Sequence, residues 1–220
     1  MVKKISGALQ LLLIGVLLAG CVNPRSFVDP NVPRVSYDEL ARLPQPMRLG
    51  LTVEFQRNGE VYPRAQNVLR DITVLTLRGT GVIVPAEEGQ EGDISVTVNN
   101  VADMAAAGIQ GFGSGLTSGL VGTTVTDGYE MAVVINARGR QVRRAGIRHS
   151  LHTAIGNTSI PAGLEATTGT IAFQRVVEAM LLRVIIDMQR NGELPEGPLP
   201  GRPVAALPTS TEVAWNTPRT

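Results

Sequence analysis

Met47-Arg48-Leu49-Gly50-Leu51-Thr52-Val53-Glu54-Phe55-Gln56 alternates apolar and polar side chains, and a period of two is the pattern of a strand with one face buried. Asn58-Gly59 ends it. Downstream, Ala65, Val68, Leu69, Ile72 and Leu75 recur at spacings of three and four, which predicts an amphipathic helix that Gly79 and Gly81 can close. Its apolar stripe has to cover a sheet. Val82 to Val84 and the set Ile94, Val96, Val98 predict two short strands around the polar turn Ala86 to Gly92. Tyr129 to Asn136 predicts a further strand, Arg138-Gly139 a turn, and Val142 to Ile155 a returning strand with Ile147, His149, Leu151, Thr153 and Ile155 on one face. Ile171, Val176, Val177, Met180, Leu181, Val184, Ile185 and Met188 mark a long helix from Thr170 to Arg190, closed by Asn191-Gly192. The order predicts an α+β, two-layer sandwich: a mostly antiparallel sheet, two helices on one face, and a glycine-rich insert at 104–126.

Composition narrows the function classes. The 220 residues carry 20 Lys+Arg against 19 Asp+Glu and 43% apolar residues, which excludes a disordered polyampholyte and a polybasic nucleic-acid binder. Four Phe, three Tyr and one Trp leave an aliphatic core and no stacking platform for bases. Lys3 and Lys4 are the only lysines, so a chain cleaved downstream of them could form neither a P-loop nor a Schiff base.

Those lysines open a secretory pattern: a positive start, an apolar run from Leu9 to Leu18, then Leu18-Ala19-Gly20-Cys21. The uncharged stretch from Ile5 to Asn23 is also long enough for an uncleaved spanning helix. Leu18-Ala19-Gly20-Cys21 resembles a bacterial lipobox. The resemblance implies cleavage ahead of Cys21, the only cysteine, and its acylation on sulfur and on the new amino terminus. Two or more acyl chains hold a protein on a bilayer durably. Val22, where an Asp would retain the protein at the inner membrane, implies delivery to the outer membrane.

The expected layout is a signal peptide at 1–20, a lipidated tether at 21–46, a periplasmic domain at 47–191 and a proline-rich disordered tail at 192–220. The tether contains Pro24, Pro30, Pro33, Pro44 and Pro46 and one short helix from Tyr37 to Arg42 capped by Ser36. Extended at about 3.3 to 3.6 Å per residue, it would reach roughly 80 to 90 Å. Leu49-Gly50-Leu51-Thr52-Val53, Met131-Ala132-Val133-Val134-Ile135 and Ile185-Ile186-Asp187-Met188 resemble the patterns of YajG-type outer-membrane lipoproteins. They resemble, more distantly, the periplasmic domain of curli-secretion and penicillin-binding-protein-activator lipoproteins. The glycine-rich insert departs from that pattern.

Catalytic sets are not readable in the chain. Ser114 lies in Gly111-Phe112-Gly113-Ser114-Gly115, whose spacing is not that of a nucleophile elbow. His149 and His152 are the only histidines and fall on opposite sides of a strand, so no metal site and no cofactor are expected. Glu87, Glu88, Glu91 and Asp93 sit in a glycine-containing turn and read as a solvated loop. Two features carry binding chemistry. Met104 to Thr126 is free of charge, and Gly111, Gly115 and Gly119 would line one face of a helix packed in a membrane or against a partner, or belong to a loop. Arg138, Arg140, Arg143, Arg144 and Arg148 could grip phosphates or carboxylates of lipopolysaccharide, phospholipid or peptidoglycan, or could keep an edge strand soluble. The expected function is a non-enzymatic binding or assembly module of the cell envelope, with a protein partner or further copies of itself. The rival is an oligomer that inserts residues 104–126 into the bilayer.

Overall fold

The computed structural model describes residues 24–101 and 123–195. The lipobox, Cys21, Gly111, Gly115, Gly119 and the tail beyond Pro195 lie outside them. The chain forms β1 (Arg25–Val28), β2 (Met47–Arg57), β3 (Glu60–Val61), α1 (Gln66–Thr80), β4 (Ile83–Pro85), β5 (Gly92–Val101), β6 (Thr123–Ala137), β7 (Arg140–Ile155) and α2 (Gly169–Arg190). The strands make one sheet in the order β1-β7-β6-β5-β2-β3, with β4 also on β2. Both helices pack on one face, so the two-layer α+β sandwich is as the sequence predicts.

Four of the six strand pairings are antiparallel, as predicted, and the two parallel ones both involve β2. Both β4 and β5 run parallel to it, Leu49 lying opposite Pro85 on one edge and Gly92 on the other. Period-two alternation is blind to strand direction, but the β2-α1-β4 crossover requires a parallel pair. The register then stacks apolar rows under the helices: Leu51, Ile94, Ile135 and Val142 form one, and Phe55, Val98, Met131 and Ile147 another. Between these rows a bulge opposite Ala132 shifts the parity of β7, with Gly146 at φ 73° supplying the left-handed residue. Val142 and His149 thereby face the same layer despite an odd separation.

The buried face of α1 is rotated from the predicted one. Val68 and Leu75 are 43% and 65% exposed, whereas Thr73, Thr76 and Thr80 are buried beside Leu69, Ile72 and Leu77. Thr73 and Thr80 bury cheaply because their hydroxyls donate to the helix carbonyls of Leu69 and Leu77.

Residues 24–46 are not a free tether. β1 pairs antiparallel with β7, Arg25 opposite Ala154 and Val28 opposite Leu151. The chain then crosses the outer side of α2 as a strap. Arg183 donates to the Pro33 carbonyl, Tyr37 to Glu178, and Arg190 to Glu39. Ser36 caps a single 3₁₀ turn at Tyr37–Glu39 in place of the longer predicted helix. Leu40 and Ala41 are buried, and the carboxamide of Gln189, 3% exposed, accepts from the Ala41 N–H and donates to the Ala41 carbonyl. The start of the expected tail is folded too: Gly192, Glu193 and Leu194 hydrogen-bond back to the end of α2, and Leu194 enters the core.

Gln189→Leu should therefore destabilise the domain by about 1–3 kcal/mol for each Ala41 group left unpaired. Leu75→Ala should stay within about 0.5 kcal/mol, as expected for an exposed site. Urea unfolding of both variants checks the pair; the reverse ranking would mean that the strap does not dock on α2.

Candidate functional site

Where the strap leaves β1 it roofs a cavity of about 530 Å³ against α2 and the β7–α2 connection. Phe27, Val28, Val32, Val35, Leu164 and Leu182 supply apolar lining, and Asp29, Arg34, Tyr37, His149, Glu165, Arg175 and Glu178 supply the polar part. Such a size and composition suit a small ligand or the side chains of a partner segment. Most of the charged groups are already committed. Arg175 pairs with Glu165 at 3.0 Å, and the Tyr37 hydroxyl donates to Glu178 at 2.6 Å. Burial, followed by the Glu178 carboxylate, pushes the Tyr37 phenol above its ordinary range, so it remains a donor.

Asp29 ties the strap to the sheet. One carboxylate oxygen accepts from the backbone and side chain of Asn31 at 2.9 and 3.0 Å, and the other accepts from the Ser150 hydroxyl at 2.9 Å. Burial alone would raise its pKa; the Asn31 and Ser150 hydrogen bonds and the His152 ring 3.9 Å away outweigh it and hold the carboxyl below its usual value. His152 also bonds Thr126 at 2.8 Å and stacks on Phe27 with centroids 5.1 Å apart. His149 is 5% exposed and lines the cavity. Its Nδ1 accepts from the Ser150 N–H at 2.9 Å, which places the proton of the neutral ring on Nε2. Ser, His and Asp thus meet here, but the Ser150 hydroxyl is directed to Asp29 and not to an imidazole, which is not the nucleophile-base order.

The predicted arginine cluster is divided. Arg138 pairs with Glu91 and Arg148 with Glu130, each at 3.3 Å, and Arg144 pairs with Glu193. Glu91 is in turn held below its usual range, first by the Arg48 N–H and, against slight burial, by Arg138. Arg140 and Arg143 are exposed without an acidic partner among the described residues. They lie on opposite faces of β7, so the five guanidiniums do not converge. Among the described residues no group of three metal-ligating side chains occurs.

The cavity was hidden in the sequence because half its wall belongs to the strap, whose prolines read as linker. The capping pair Ser36 and Glu39, followed by Leu40-Ala41, was the available sign of a packed segment.

No protein-family model and no curated protein matches the chain. Among solved structures it is similar to a PelC dodecamer from Paraburkholderia phytofirmans, with 11% identity over 73% of this chain and 95% of that one and a TM-score of 0.30. It is also similar to a protein of family DUF330 from Xanthomonas campestris, with 13% identity over 70% and 95% and a TM-score of 0.31. Likeness at this level assigns no role to any residue.

His149 gives the cavity a pH signature. Burial first, then Arg183 and His152, hold its pKa below the ordinary imidazole range against the pull of Asp29. The unfolded chain therefore takes up the proton first. Stability is complete above the unfolded pKa of about 6.5 and declines as pH falls below it, while Asp29 acts only in the more acidic carboxylate range. The thermal midpoint of the wild type should fall as pH drops from about 7 toward 5, and His149→Asn, which keeps an acceptor for the Ser150 N–H, should flatten that slope. An unchanged slope would place the titration elsewhere.

Proposed function

We propose that this chain is a lipid-anchored, non-enzymatic binding module of the bacterial envelope, held on the periplasmic face of the outer membrane through Cys21. The observation that supports it most is the spacing along the chain. The lipobox-like run ends at Cys21, and the first described strand starts four residues later at Arg25, so a lipid on Cys21 would lie close to the body in sequence. Among the described residues no helix is long and apolar enough to cross a membrane. The cavity under the strap is the surface offered for binding. Its apolar walls and internally paired charges suit recognition of an envelope protein segment or a small amphipathic molecule, and no cofactor enters this reading.

Cys21→Ser should move the full-length protein from the outer-membrane fraction to the periplasm or block its processing, and should abolish incorporation of labelled palmitate. Unchanged fractionation with no palmitate in the wild type would overturn the anchor.

A further inference from the structure

The β-register shows which end of the body the anchor reaches. Arg25 lies opposite Ala154, and Ala154 lies opposite Thr124, so the start of β1, the start of β6 and the end of β7 form one row. Val101, the last described residue of β5, lies opposite Gly128, and residues 123–127 of β6 pair with β7, which carries β1 on its other edge. Cys21 is four residues before Arg25, a separation of at most about 14 Å at 3.6 Å per residue. The opposite end, at the β6–β7 turn, lies roughly 45–50 Å away at about 3.3 Å per residue along β7.

The two ends differ in charge. Residues 123–126, 153–164 and 166–173 contain no ionisable side chain, and those adjoining them are Asp127, His152 and Glu165. Glu165 is taken by Arg175, and Arg25 donates to the Thr158 carbonyl at 2.7 Å. Two of the exposed large apolar side chains, Val125 and Ile171, are in these segments, 38% and 43% exposed. The far end carries Glu87, Glu88, Glu91, Asp93, Arg138 and Arg140 around the row Gly92, Ala137, Arg140.

We infer that the β1-β7-β6 tip is a membrane-facing surface, resting on the headgroups of the bilayer that holds the acyl chains of Cys21, with the charged β6–β7 turn directed away from it. The inference rests on the lipid-anchor reading. Its occupant follows from reach and polarity together: the proposed anchor would keep this tip near the headgroup layer, and a surface that exposes Val125 and Ile171, with few ionisable groups besides Arg25, Asp127 and the Glu165–Arg175 pair, approaches that layer with less stripping of water from ions than the far end would need.

The test uses full-length protein isolated with its native modification. In separate variants, Val125→Cys, Ser159→Cys and Ile171→Cys mark the tip, while Glu88→Cys and Gln141→Cys mark the far end, all at exposed positions. Each is labelled with an environment-sensitive fluorophore and reconstituted in phosphatidylethanolamine-phosphatidylglycerol vesicles containing a headgroup spin-label quencher. The tip labels should be quenched several-fold more strongly than the far-end labels. Equal quenching at both ends, or stronger quenching at the far end, would overturn the orientation. Wild-type protein separates the two failures. If it neither floats with vesicles nor resists maleimide at Cys21, the anchor reading fails and the orientation with it; if it floats and resists maleimide, an adverse quenching pattern overturns the orientation alone. Matching thermal midpoints identify the variants that remain folded.

Discussion

The carboxamide of Gln189, buried at the end of α2 and bonded to both backbone groups of Ala41, is the contact on which the arrangement of the molecule depends. Its amide nitrogen also donates to the Pro195 carbonyl, so one side chain joins the strap, the closing helix and the segment that follows it. A polar side chain at such a depth is tolerable only when its donors and acceptors are met, and the strap meets them. Without the strap, Leu40 would leave the core and the outer side of α2, where Leu182 and Ile186 are buried, would face water. α2 is apolar on more than one side because it is the middle of three layers at this point.

In the proposed reading, that construction would link anchoring to binding. The segment that begins four residues after Cys21 first completes the sheet as β1, then roofs the cavity, then crosses α2. Asp29, at the exit of β1, fixes the roof through Ser150 and Asn31, and His149 lies beneath it. A long flexible tether would let the domain search the periplasm. With the proposed lipid on Cys21, a strap that is part of the fold would instead hold the domain close to its anchor.

The sheet and the closing helix were legible in the sequence because their stability comes from burying periodic apolar faces: Met47 to Phe55, Ile94 to Val98, Met131 to Ile135 and Val176 to Met188 all show it. Strand direction was not legible in that periodicity, although the crossover through α1 implied it. The face of α1 was misread because Thr73 and Thr80 satisfy their own hydroxyls and so bury like apolar residues, leaving Leu75 outside. The strap was invisible for a different reason. Pro33, Tyr37 and Ala41 are held by Arg183, Glu178 and Gln189, residues about 140 to 150 positions away, and no local pattern records such partners. The arginine cluster was legible as composition, but its acidic partners Glu91, Glu130 and Glu193 come from three separate elements that only the register brings together.

The central claim is that residues 25–41 belong to the folded body. Amide hydrogen exchange in full-length protein measures this directly at Ser26 and Asp29, whose N–H groups donate to the carbonyls of Thr167 and Ser150. The account predicts exchange at these two sites as slow as in β7, because both would open only with the sheet edge and the strap. Exchange at the rate of an unstructured peptide, with β7 still protected, would contradict it and restore a free tether.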